Sequence, residues 1–260
     1  MITTMRSDIY RILRGKTIYV TTALLVALAV AQVVPREPGT IGINISASPR
    51  LDLSLAGPDT WRFLLGTANN IVFFIIPVVV IVAGGIFSSG TVKNACATGQ
   101  SRTRLYAAKW LLSSAVVLGL VVVYLGSGLL STTVVRGAGT WSAADVTDLV
   151  RSTLAQVVIL WAFTSVGVAL TFVLRNAGAP WAYLAFAVLP FVAAITMSET
   201  MTQEGFNATI PYNMLLSISY FAGWSGLTST FIVTSLCVAL AWLVVAVAIG
   251  IPAFARAEIK

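Results

Sequence analysis

The sequence predicts an all-α membrane protein, a bundle of six transmembrane helices. Two observations of composition point to this class, since 58% of the 260 residues are hydrophobic and only 10% are charged. A soluble domain carries about 25% charged residues, so a chain with this little charge is expected to have lipid as its main solvent. The third observation is that the apolar residues fall into runs close to the roughly 20 residues that cross a bilayer.

Six apolar runs are long enough to be membrane spans. The second of them is interrupted by Pro77 and by the pair Gly84 and Gly85, which weaken a helix. The runs follow one another without a segment that could form a separate domain, so 1–260 is predicted to be a single transmembrane domain. The predicted spans are 17–34, 66–87, 110–131, 152–174, 179–197 and 226–254.

The charge-free tract at 205–255 is too long for one helix. Its first half contains Pro211, Asn213 and several aromatic residues. We therefore expect 205–225 to be an interfacial or re-entrant segment that precedes the sixth span. A further pair of spans in this tract is the alternative interpretation.

Residues 1–16 predict an amphipathic helix that lies in the membrane interface. Met5, Ile9, Ile12 and Leu13 fall on one helical face, and the arginines fall largely on the other. An arm that serves only to set the membrane topology is the alternative. The residues assigned to the interfacial helix are Arg6, Ile9, Tyr10, Arg11, Leu13 and Arg14.

The distribution of cations predicts the orientation in the cytoplasmic membrane. One side of the bundle receives the N-terminus, the 88–109 loop, the turn at Arg175 and the C-terminus. Cytoplasmic loops carry the excess of Lys and Arg, so both termini are expected in the cytoplasm. Eleven of the sixteen cations lie on this side: Arg6, Arg11, Arg14, Lys16, Lys93, Arg102, Arg104, Lys109, Arg175, Arg256 and Lys260.

Missing residue types exclude several classes of function. The chain has no histidine, and none of the predicted span interiors contains a charged residue. Membrane enzymes need paired acids, histidines or a nucleophile with its base, and ion-coupled transporters commonly bury charged groups. We therefore expect no catalytic residue, metal site or bound cofactor. The tetrapeptide RGKT at 14–17 ends like a phosphate-binding loop, but position 10 is Tyr rather than Gly, so no nucleotide site is predicted.

The loop GTVKNACATGQSRTRLYAAKW, at 90–110, concentrates positive charge between two spans. It has four cations and no acid. Gly99 suits the end of a short helix and Ser101 the N-cap of the next one, which places Arg102, Tyr106 and Lys109 on one face. Because the helix dipole disfavours cations in the first turn, Arg102 and Arg104 are expected to meet lipid phosphate or an acidic partner. A role in topology alone is the alternative.

Two amides lie at the outer end of the second span. Asn69 and Asn70 are expected to hydrogen-bond other helices, as amides in lipid usually do. Lining a substrate pathway is the alternative interpretation.

The arm MRSDIYRILRGKTIYV and the loop GTVKNACATGQSRTRLYAAKWL together resemble the six-span permease subunits of ABC-type export systems, particularly those of the bacitracin- and lantibiotic-resistance type. The family pattern is approximately Gly-Thr-hydrophobic-Lys-Asn, then Gly-x-Ser-Arg, then Tyr-x-x-Lys. Family members often carry an acid shortly before the Gly-Thr pair, where this chain has Ser88 and Ser89. The matching positions are Gly90, Thr91, Lys93, Asn94, Gly99, Ser101, Arg102, Tyr106 and Lys109.

The resemblance implies that 88–101 is a coupling helix seated on a separate cytoplasmic ATPase. Two ATPase copies would bind ATP and magnesium, and a second permease subunit, identical or paralogous, would complete the pathway. The implied partners also include membrane lipids but no nucleic acid. The uncharged spans favour an apolar or amphipathic cargo such as an antimicrobial peptide, a drug or a lipid. A non-transporting scaffold or sensor subunit and an ion-coupled secondary transporter are the alternatives.

Overall fold

The predicted helical class is confirmed in a computed structural model of the protein. The structure describes residues 2–33, 56–88, 101–175, 178–198 and 200–256, and within those ranges it contains helices and turns but no strand. Six helical segments are long and apolar enough to cross a membrane. They coincide with the six predicted spans, which is the arrangement of a multi-pass membrane protein.

The helices are numbered here in chain order. Between α4 and α5 the chain forms a π turn at Val80–Gly84, and short 3-10 turns occupy Ala68–Asn70, Ile210–Tyr212 and Phe221–Gly226. The bounds are α1 Ile2–Arg14, α2 Lys16–Val33, α3 Pro58–Gly66, α4 Ile71–Val79, α5 Gly85–Ser88, α6 Arg102–Arg136, α7 Ala143–Leu174, α8 Ala179–Ser198, α9 Gln203–Thr209, α10 Met214–Tyr220 and α11 Ser229–Ala255.

Two helices are longer than the spans predicted for them. α6 has 35 residues and α7 has 32, so at 1.5 Å per residue they extend over about 50 Å, against about 30 Å of bilayer hydrocarbon. The Ser101 side chain caps α6 by accepting from the Arg104 backbone N–H, as predicted. Ser142 and Asp145 form a reciprocal capping box at the start of α7. These caps fix where both helices begin beyond the apolar layer.

α7 lies at the centre of the bundle and is the most buried of the six candidate spans. It packs against α4, α6, α8 and α11. Its small residues allow this close contact, because a Cβ on Gly167 would meet both Val79 of α4 and Tyr183 of α8 at 3.1–3.2 Å. The remaining helices are therefore arranged around α7.

The segment before the last span consists of short helices. α9 and α10 have seven residues each, which is too short to cross a bilayer, so the alternative of two further spans does not fit. Asn213 caps α10 and donates from Nδ2 to the Pro190 carbonyl in α8. Leu215, Ile218 and Phe221 are buried against the bundle. The tract is therefore anchored to the protein through both polar and apolar contacts.

Different helices meet at the two ends of the bundle. At one end, called the basic end below, the first turns of α6 meet both α1 and the last turn of α11. At the opposite end, α3 meets the start of α7, where Arg62 is paired with both Asp59 and Asp145. The Trp61 ring also packs edge-on against Trp141 there, with 6.0 Å between ring centroids.

Candidate functional site

The basic loop is held between two helix ends whose positions the structure gives. α5 ends at Ser88 and α6 begins at Arg102. Residues 89–100, which make up most of the predicted coupling helix at 88–101, lie outside the described part of the chain, as do five of the pattern residues. These five are Gly90, Thr91, Lys93, Asn94 and Gly99. Within the described residues, the candidate site therefore consists of the contacts made by the helices on either side of the loop.

Arg102, Tyr106 and Lys109 share one face of α6, as their spacing predicts. That face points into the bundle, and only 1% of Tyr106 and 1% of Lys109 is exposed. Arg104 lies on the other side of the helix and is exposed. Of the two arginines expected to meet a partner, Arg104 is thus the more exposed, since Arg102 is half-buried.

Arg102 ties the start of α6 to the end of α11. Its Nη1 donates to the Ala255 carbonyl at 2.9 Å and lies 3.5 Å from the Phe254 carbonyl. These carbonyls belong to the last turn of α11, where a helix has unsatisfied acceptors and a partial negative charge. The favourable interaction of Arg102 with the C-terminal end of α11 therefore offsets its unfavourable interaction with the dipole of α6.

Tyr106 lies in an aromatic cluster that joins four helices. Its ring centroid is 4.9 Å from that of Phe172 in α7, which is in turn 4.7 Å from Phe254 in α11 and 5.4 Å from Phe87 in α5. A Cβ on Gly250 would overlap the Tyr106 phenol, so α11 can approach α6 this closely only with glycine there. The cluster fixes both ends of the loop to the same core.

Lys109 pairs with Asp8 of α1. The Nζ to Oδ2 distance is 2.7 Å, and the Asp8 side chain is 13% exposed. A charge buried to this degree needs a partner, because the desolvation cost is otherwise unbalanced. The sequence pattern did not indicate this pairing, because Asp8 is a single acid among the cations of the N-terminal arm. The ion pair connects the N-terminal arm to the span that follows the loop.

The rest of α1, as far as its side chains are described, is largely exposed. Ile12 is buried, but Ile9, Tyr10 and Leu13 are 43%, 57% and 58% exposed. The Arg14 guanidinium lies over the Tyr10 ring, 4.6 Å from its centroid. The side chain of Arg6 lies outside the described residues.

Arg11 reaches from α1 to the second span. Its Nη2 donates to the Ile81 carbonyl in the π turn at 3.2 Å. The guanidinium fits beside Gly85, where a Cβ would lie 2.6 Å from Nη2. α1 therefore contacts the span before the loop as well as the one after it.

The predicted interhelical amides lie in the 3-10 turn Ala68–Asn70. Asn69 is buried and Asn70 is half-buried. A stronger interhelical amide is Gln156 of α7, which sequence reasoning missed. Its Nε2 donates to the Leu65 carbonyl at 2.9 Å and to the Ile218 carbonyl at 2.7 Å. The available signal was that Gln156 is the single amide residue in the fourth apolar run.

An uncharged groove of about 310 Å³ runs between α6 and α7. Apolar side chains form most of its wall, and Ser114, Trp161 and Thr164 contribute the polar groups. The Trp161 Nε1 donates to the Ser114 hydroxyl at 3.0 Å, and its ring stacks on Trp110. The groove is thus an apolar surface whose few polar groups are largely satisfied within the protein.

Comparison with known proteins assigns the chain to no family. No protein-family model matches the sequence, and no curated protein matches it significantly.

Proposed function

We propose that this chain is the membrane-spanning permease subunit of an ATP-driven export system. A separate cytoplasmic ATPase would dock at the basic end, bind ATP and magnesium, and supply the energy. The observation that carries the proposal is the anchoring of both ends of the basic loop. Phe87 before the loop and Tyr106 after it pack on the same residue, Phe172, at the centre of the bundle.

This anchoring is suited to transmitting force. A displacement of the loop is passed to α5 and α6 together, and the contacts of Arg102 and Lys109 pass it on to α11 and α1. α6 is one uninterrupted helix of 35 residues, so motion at its first turn reaches the far side of the bundle. A loop that served only to set the topology would not need such contacts.

The docking surface in this proposal consists of the loop and Arg104. Arg104 is exposed in the first turn of α6, where the helix dipole disfavours a cation and no structural role in the bundle is apparent. An acidic groove on the ATPase would make this charge favourable. Arg102 and Lys109 contribute differently, since they hold the loop in place from inside.

The proposed working unit contains two such permease subunits and two ATPase copies, with both termini of the chain in the cytoplasm. The cargo is apolar or amphipathic, such as an antimicrobial peptide, a drug or a lipid. The uncharged groove between α6 and α7 supports this cargo class, because its wall offers apolar contacts and no charge to bind an ion.

Affinity capture from detergent-solubilised membranes tests the proposal. We expect an ATPase with Walker motifs to co-purify with the wild type and to be recovered about tenfold less with Arg104→Glu, because the substitution reverses a charge at the docking surface. Arg151→Glu is the matched control, since Arg151 is also exposed but lies on α7 near the opposite end.

Two outcomes would count against the proposal. One is the absence of any ATPase from a well-folded wild-type preparation. The other is equal recovery with Arg104→Glu and Arg151→Glu, which would remove the basic end as the docking surface.

A further inference from the structure

The helix of the span before the basic loop is weakened over residues 77–85, and this segment is called the hinge below. Pro77 lies inside α4, where it removes a backbone donor, and the π turn Val80–Gly84 follows within three residues. Gly85 then begins the short helix α5. Proline, π turns and paired glycines are the usual causes of a helix kink, and here all three occur within nine residues.

One face of α1 is attached to both sides of the loop. Arg11 donates to the Ile81 carbonyl inside the hinge, and Asp8 pairs with Lys109 of α6. The two residues are three positions apart and therefore lie on the same face of α1. The space left by Gly85 admits the Arg11 guanidinium to the hinge.

We infer that α1 is a strap that holds this hinge in a fixed conformation. While Arg11 and Asp8 are engaged, α5 is fixed relative to α4 and α6. When α1 leaves, α5 can move about the π turn. The inference concerns this chain alone and goes beyond its proposed use in export.

The way α1 is held suits a strap that can be released. Among its side chains from position 7 to 14, Ile12 is the one that is buried, and Ile9, Tyr10 and Leu13 face outward. Over residues 8–14 the attachment therefore includes two polar contacts and one buried apolar side chain. A change at the outer face, where lipid or a partner would bind, can act on the hinge without disrupting the bundle core.

Hydrogen exchange with mass spectrometry, on the full chain in lipid nanodiscs, tests the strap. In Arg11→Ala the amides of 81–88 should exchange about tenfold faster than in the wild type, because the charged donor that braces the turn is lost. Exchange within α7 should stay unchanged and shows that the bundle remains folded. Should Arg11→Ala fail to fold, Arg11→Met removes the donors but keeps the side-chain stem.

Arg14→Ala is the control, because it removes an equal charge from the same helix at a residue that lies over Tyr10 and not at the hinge. It should exchange like the wild type at 81–88. Wild-type exchange in Arg11→Ala would overturn the inference, and so would an equal increase in Arg14→Ala. No ATPase is present in the experiment, so its result is independent of the proposed function.

Discussion

Replacing Lys109 with methionine is expected to lower the free energy of unfolding by about 3 kcal/mol, because the partly buried Asp8 carboxylate loses its partner. Lys109 is 1% exposed and its ammonium lies 2.7 Å from that carboxylate. The methionine keeps most of the side-chain volume, so the loss reports on charge rather than packing. Thermal unfolding of the purified protein in detergent, followed by tryptophan fluorescence, measures the effect.

Two further variants separate the ion pair from a general loss of charge. In the double variant Asp8→Asn, Lys109→Met most of the stability should return, because no unpaired charge remains. Arg104→Met removes a cation from the same helix at an exposed position and should change stability by less than about 0.5 kcal/mol. If Lys109→Met were as stable as the wild type, the pair would not hold α1 to the bundle.

Replacing Gln156 with leucine is expected to cost about 2 kcal/mol, because two buried carbonyls lose their donor at once. Gln156 is 2% exposed and bridges Leu65, at the end of α3, to Ile218 in α10. It therefore connects the central helix to two peripheral segments at the opposite end of the bundle.

The same thermal assay checks this second effect. Gln203→Leu is the matched control, since Gln203 is exposed in α9 and its side chain bonds the Asn207 side chain four residues away. It should leave the melting temperature close to that of the wild type. Equal melting temperatures for the Gln156 and Gln203 variants would show that the bridge adds no stability.

The sequence predicted best those structural features whose physical cause lies within a short stretch of the chain. Span positions follow from apolar runs, and the Ser101 cap follows from a hydroxyl placed before a helix. The common face of Arg102, Tyr106 and Lys109 follows from helical spacing alone. These predictions need no knowledge of what lies across the bundle.

The spacing of Arg102, Tyr106 and Lys109 could not predict whether their common face points into the bundle or away from it. That direction is set by Asp8, Phe172 and Ala255, which come from distant parts of the chain. The role of Gln156 could not be predicted for the same reason, because its partners Leu65 and Ile218 are 91 and 62 residues away in the sequence. Long-range packing thus gives Arg102 and Lys109 partners inside the protein that their spacing did not predict.

Pro77, Gly84 and Gly85 predicted that the second span is interrupted, but they did not predict the kind of turn that interrupts it. The interruption is a π turn between α4 and α5, and Arg11 from the N-terminal arm donates to a carbonyl within it. In the sequence Arg11 is one of several cations in an amphipathic pattern. Its contact with the hinge depends on how α1 packs against the bundle.

ATP hydrolysis in proteoliposomes would show whether an ATPase works through the basic end of this chain, as we propose. The ATPase that co-purifies would be reconstituted with the wild type, with Arg104→Glu or with Arg151→Glu. Hydrolysis is expected to rise several-fold with the wild type and with Arg151→Glu, and to stay at the level of the free ATPase with Arg104→Glu. A rate that is the same with and without the wild-type chain would contradict the account.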